Sequence, residues 1–277
     1  MAELYFQGKK VYYEVHGDTG ETLVLLNGIM MSTASWLPFV ECLSKTNRLI
    51  LVDFLDQGQS ERIEAGYDHS IQVEVLEAVL AELSGKLSCE KYNIMGISYG
   101  GEVAIQYALA YPNRVRRLIL ANTCARTSGW LKKIGDGWNE VAKCGSGLAY
   151  YLTTIPIIYS TRFFEERAEW MEGREKMLTE YFARDDVREA LIRLTDSSRE
   201  YDVSDRLGEI KCPTLVISSS EDALVPMTEQ KLIHERIKGS SYVTINGSGH
   251  ASMYEVPEAF AALTAGFANL PDNCIKI

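Results

Sequence analysis

Lys91-Tyr92-Asn93-Ile94-Met95-Gly96-Ile97-Ser98-Tyr99-Gly100-Gly101-Glu102-Val103-Ala104-Ile105-Gln106-Tyr107-Ala108-Leu109 is the stretch that decides the fold. Its first five residues read as a short buried strand, and Glu102–Leu109 carries the apolar spacing of a helix. Between them stands G-x-S-x-G, the pattern of a nucleophile elbow, a sharp turn that holds a serine hydroxyl above the end of a sheet. The flanking glycines fit because a side chain there would strike the neighbouring strand or helix. Five residues of pattern occur by chance; the strand before them and the helix after them give the pattern its meaning.

The same alternation extends in both directions. Val11–Val15 is β-branched and aromatic and leaves through a His16–Gly20 turn. Thr22–Leu26 and Arg48–Asp53 are continuous apolar runs, as expected of strands covered on both faces. A helix is expected around Ala34–Ser44. Another is expected over Ser70–Leu87, with apolar residues at Ile71, Val75, Val79 and Leu83. The elbow helix ends at Tyr111-Pro112-Asn113, since proline cannot continue it, and Val115–Leu120 supplies the next strand.

From Asn122 to about Gly208 the rhythm stops, and the segment reads as helices over 130–143, 146–152, 162–182 and 186–197. Strands return at Pro213–Ser218 and Ser241–Ile245, with helices near 228–238 and 257–269. The chain therefore predicts a mostly parallel, doubly covered α/β sheet. Its core domain is built from residues 9–121 and 209–270, with a helical cap inserted at 122–208 and a tail at 271–277. Residues 1–8 are left open: Glu3-Leu4-Tyr5-Phe6-Gln7-Gly8 reads either as a protease site left by an expression tag or as a native first strand.

Composition narrows the function classes. A chain of 277 residues with 46% hydrophobic and 24% charged residues is ordinary for a globular protein. It has no apolar run of about eighteen residues and no signal-peptide pattern, so a cytoplasmic protein with no membrane span is expected. Its 28 basic and 38 acidic residues, a net charge of −10, argue against nucleic-acid or anionic-membrane partners. The six cysteines form no C-x-x-C pair and read as reduced thiols. With no metal-ligand cluster and no glycine-rich phosphate loop, neither metal nor cofactor is expected.

A serine hydroxyl needs a base, and the base needs a third group to orient it. Of four histidines, His250 stands in a glycine-rich loop, Asn246–His250, directly after the last strand. Loops at the carboxyl ends of parallel strands face the elbow's crevice. His16, His69 and His234 lie in settings that suggest satisfied or solvated side chains. The acid belongs between Ser98 and His250 in the chain, where Glu221 and Asp222 follow a buried strand. The backbone N–H of Tyr99 is one expected oxyanion donor, and Asn27-Gly28-Ile29-Met30 offers the second, with Ile29 the better candidate because the donating amide follows the glycine.

Together these residues resemble the α/β-hydrolase superfamily of serine hydrolases over nearly the whole chain, from about Lys9 to Leu270. The matches are the elbow, Tyr111–Val115, Leu118–Asn122, the Asp222 and His250 loops, and Val256-Pro257. The resemblance implies an eight-stranded, mostly parallel sheet with a helical cap, and it favours Asp222 over Glu221 through the D-x-x-V-P spacing. Two departures stand out. Asn27-Gly28 replaces the usual His-Gly, and Leu55-Asp56 stand where Asp-x-Arg-Gly-x-Gly-x-Ser has arginine and glycine.

Serine at 98, rather than aspartate, speaks against haloalkane dehalogenases and epoxide hydrolases. The His-Gly-Gly-Pro-Gly of proline-specific peptidases is missing. Large apolar residues crowd the inserted segment. Trp130 and Tyr159, with Met30 and Met31 beside the oxyanion loop, are candidate substrate contacts. The expected partner is a small-molecule acyl substrate, an apolar ester, thioester or lactone. Homodimerisation, a slow-turnover ligand receptor on this fold and an acyltransferase stay open as alternatives.

Overall fold

The computed structural model describes residues 2–271. Eight strands form one sheet: β1 Ala2–Phe6, β2 Lys9–His16, β3 Glu21–Leu26, β4 Asn47–Val52, β5 Tyr92–Ile97, β6 Val115–Ala121, β7 Thr214–Ser219 and β8 Ser241–Ile245. They lie in the order β1-β2-β4-β3-β5-β6-β7-β8. β2 runs antiparallel to β1 and β4, and every pairing from β4 through β8 is parallel. Residues 2–6 are thus a paired first strand. Of the expected tail at 271–277 only Pro271 is among the described residues, and Cys274 lies outside them.

Alternation along the strands explains why the sheet is covered on both sides. Val24, Leu26, Ile50, Val52, Ile94, Leu118 and Leu120 bury into one apolar cluster, with α2 Ser70–Leu87 and α3 Tyr99–Ala110. Their neighbours Leu23, Leu25, Leu49, Leu51, Met95 and Ile119 bury into the other. Successive side chains of a strand point to opposite faces, so a continuous apolar run needs two covering layers. On the second face Trp36, Phe39 of α1 Leu37–Leu43 and Phe260 of the C-terminal helix pack as an aromatic trio, with ring centres 5.8–6.4 Å apart.

Between β6 and β7 lie α4 Gly129–Lys143, α5 Gly147–Thr154, α6 Thr161–Glu166, α7 Ala168–Phe182 and α8 Asp185–Ser197. Ser128, Ser146 and Ser160 each accept an N-terminal amide of the helix they precede, which satisfies groups the helix cannot bond internally. The helix expected over 162–182 is two helices, separated at Arg167 (φ −125°, ψ 35°). After β7 come α9 Met227–Arg236, then β8, α10 Ser252–Glu255 and α11 Pro257–Ala268.

Asp56, one of the two sequence departures, ties the segment between β6 and β7 to the sheet. It occupies the left-handed region (φ +71°), and its wholly buried carboxylate receives Arg193 of α8 in a two-point pair, at 2.7 and 3.0 Å. Leu55, which belongs to the same departure, is buried in the core.

Candidate active site

Ser98 caps the strand–helix turn between β5 and α3 at φ +54° and ψ −123°, a conformation L-residues rarely adopt. Close packing around the turn holds it there. A Cβ on Gly96 would lie 2.3 Å from the Gly100 carbonyl oxygen, and one on Gly100 would lie 2.4 Å from that of Leu26. The Ser98 N–H donates to Ala121 O (2.9 Å), and its carbonyl accepts the Thr123 hydroxyl (2.7 Å). Strand β6 therefore fixes the turn from the side.

His250 and Asp222 come from loops after β8 and β7. His250 Nδ1 lies 2.8 Å from Asp222 Oδ2, and both side chains are buried. Asp222 Oδ1 accepts the amides of Leu224 (3.0 Å) and Val225 (2.8 Å). Oδ2 also accepts Asn122 Nδ2 (2.9 Å), whose own Oδ1 accepts the Ser252 hydroxyl (2.8 Å). The carboxylate is held from four directions and can turn only by breaking several bonds. With Asp222 Oδ2 against Nδ1, the Nε2 of the imidazole is left for the chamber. Glu221, the sequence alternative, is exposed and takes no part.

The loop after β3 is built by the other departure. Asn27 Nδ2 donates to Val52 O (2.9 Å) and Gln57 Oε1 (3.1 Å), while Asn27 Oδ1 accepts Trp36 Nε1 (2.8 Å). Gln57 Nε2 in turn holds the Gly28 carbonyl (2.9 Å). Gly28 N–H donates to Met31 Sδ (3.2 Å), so Ile29 N–H is the next donor along the loop. Tyr99 is the first residue of α3, and its N–H is one of the four a helix cannot satisfy itself.

One apolar chamber gathers these parts. Gly28, Ile29, Met30, Met31, Ser98 and His250 line it from the sheet side, and Tyr159 lines it from the bend just before α6. Trp130 does not reach it. That indole is about half exposed and donates from Nε1 to Leu224 O (3.2 Å), while Trp138, buried one face further along α4, takes a place in the wall. Sequence reasoning gave no role to three contributors: Asn122, which entered only as the end of the Leu118–Asn122 match, Ser252, and Arg174, which also lines the chamber. Each is a polar residue whose partner is remote in the chain. Among the described residues no cluster of His, Cys, Asp or Glu is arranged to hold a metal, five cysteines are free, and no helix is long and apolar enough to cross a membrane.

Behind the elbow lies a second buried polar group of residues. Burial raises the Glu102 carboxyl to about 8 and lowers the His69 imidazole to about 3. Glu102 Oε2 and His69 Nε2 lie 3.8 Å apart and neither has a hydrogen-bond partner among the described residues.

This sheet order, with a serine elbow after the fifth strand and a buried aspartate–histidine pair on the next loops, defines an α/β hydrolase. The chain belongs to that family: the family model described as the alpha/beta hydrolase fold matches residues 21–257. It is similar to MGS-M2, an alpha/beta hydrolase enzyme from a Medee basin deep-sea metagenome library. That structure is 46% identical, each chain is covered over 100% of its length, and the TM-score is 0.96. It is also 26% identical to 3-oxoadipate enol-lactonase 1 of Acinetobacter baylyi, over 94% of each chain. A third relative, named "Putative carbamate hydrolase RutD" in Agrobacterium fabrum, is 29% identical over 90% of this chain and 95% of its own.

Proposed function

We propose that the protein is a serine hydrolase that cleaves small or medium apolar esters, thioesters or lactones through an acyl-enzyme on Ser98. The observation that carries the reading is a single chamber holding Ser98, on its strained turn, and His250, whose far nitrogen is bonded to Asp222. Ser98 Oγ attacks the carbonyl carbon as its proton passes to His250. The tetrahedral oxyanion sits on the N–H groups of Tyr99 and Ile29, and the start of α3 adds its dipole. Collapse breaks the bond to the leaving group, which takes the proton from His250. Water then gives a proton to the same imidazole, attacks the acyl carbon and releases the acid. Asp222 fixes the tautomer and stabilises the imidazolium without taking its proton.

In this reading residues 122–208 act as a cap, and Met30, Met31 and Tyr159 contact the substrate. The carbonyl classes in the relatives' names, a carbamate and an enol-lactone, are open to the same attack. The reading is tested with a fluorophosphonate probe and peptide mass spectrometry. One adduct on Ser98, missing from Ser98→Ala, is expected. Unlabelled Ser98 in a protein that still hydrolyses esters would overturn it.

A further inference from the structure

The chamber beside Ser98 is apolar apart from one strong charge. Its walls include Ile29, Met30, Ile155, Ile158 and Leu178, and the guanidinium of Arg174 lies among them. Arg174 projects from α7 with its Cζ 5.7 Å from the centre of the Trp170 ring and 5.0 Å from that of Tyr254. Contact with ring faces steadies a guanidinium without using its N–H donors. Its Nε is buried with no hydrogen-bond partner among the described residues, and no described carboxylate pairs with it.

Other arginines of the inserted helices are placed differently. Arg193 is paired with Asp56, Arg199 with Asp136 and Arg184 with Asp186. A half-buried cation with no carboxylate beside it, in an apolar recess, is unfavourable until an anion arrives. Tyr159, whose ring centre is 5.9 Å from that of Trp170, stands at the same end of the chamber; burial pushes its phenol well up, and the charge of Arg174 and a hydrogen bond with it partly offset this.

We propose that Arg174 receives a carboxylate, so that the preferred substrates carry an anionic group at the far end of the acyl part, as in monoesters of dicarboxylic acids. The inference rests on the acyl-hydrolase reading of Ser98. The planar guanidinium presents parallel N–H donors that match the two oxygens of a carboxylate. The aliphatic stretch between carboxylate and scissile carbonyl lies on the apolar walls. The chain's net charge of −10 gives anions no general attraction, so this selectivity is local.

The competing role is a brace, with Arg174 only joining Trp170 to Tyr254. Two measurements separate them. The first compares p-nitrophenyl hemiesters of adipic, pimelic and suberic acids with neutral p-nitrophenyl esters of equal chain length, using wild type, Arg174→Met and Arg174→Lys. For at least one length the wild type should prefer the hemiester, chiefly through KM. Arg174→Met should cut kcat/KM on that hemiester roughly 10- to 100-fold more than on its neutral partner, with lysine restoring part of the loss. Equal losses on both esters, or no wild-type preference for any hemiester, would overturn the proposal.

The second measurement needs no turnover: calorimetric titration of Ser98→Ala with the monomethyl esters of the same diacids. Binding that disappears in Ser98→Ala/Arg174→Met supports the carboxylate site, even if wild type hydrolyses nothing and the acyl-hydrolase reading falls. No binding by Ser98→Ala, in a protein whose wild type turns over neutral esters, removes the carboxylate site and leaves the hydrolase reading intact.

Discussion

Replacing Glu102 by glutamine removes a titrating carboxyl from the interior, one turn into α3 behind the elbow. Its side chain is almost fully buried, and one of its oxygens has no partner among the described residues. Burial raises it from 4.5 to about 8. Between those values the folded protein keeps a proton that the unfolded chain has released. Stability is therefore fully present below the unfolded value and is lost as pH rises through the folded one, by a little over 1 kcal/mol per pH unit. His69 slopes the other way, because burial lowers it to about 3; its contribution grows from about pH 3 to 6.5 and is complete above that. The clean window is thus pH 6.5 to 8, where about 2 kcal/mol should separate the two proteins. Chemical denaturation followed by tryptophan fluorescence, at closely spaced pH values, measures it. Wild-type stability should fall against that of Glu102→Gln across the window. Parallel curves would refute the claim that the acid is buried and protonated.

Two further outcomes follow from the geometry. Asp222→Asn keeps the shape but places an amide against His250 Nδ1 and the Leu224 and Val225 amides, so kcat on a neutral ester should fall roughly 10³- to 10⁴-fold; a loss under tenfold contradicts the assigned role. Asp56→Ala strands the Arg193 guanidinium in a largely buried place and should cost about 3 kcal/mol, or roughly 6–12 °C in Tm. A shift below about 2 °C by differential scanning calorimetry would show that the pair does not tie α8 to the sheet.

The central strands β3 to β7 were legible because they are buried on both faces and so read as largely unbroken apolar runs, and Ser70–Leu87 because its repeat keeps one stripe in the core. Residues 2–6 were not: a five-residue strand at the sheet edge leaves little pattern, and here it also resembles a tag remnant. The break at Arg167 has neither proline nor glycine to announce it. Ser98, Asp222 and His250 could be located because each follows a strand that the sequence marks.

The supporting groups were hidden for a different reason. Asn122 and Ser252 are 130 positions apart, and only the fold brings them together behind Asp222. Trp130 and Trp138 are eight positions apart on one helix, about 80° around its axis, and an apolar residue count does not say which of them turns inward. Arg174 reads as a solvated helix residue until Tyr254, from α10 just after His250, is seen beside it.

The most direct test of the central claim is hydrolysis of p-nitrophenyl esters from acetate to decanoate by wild type and Ser98→Ala side by side. The account predicts turnover by the wild type that the variant loses by several orders of magnitude, with the best chain length set by the apolar chamber. Equal rates in the two proteins would contradict it.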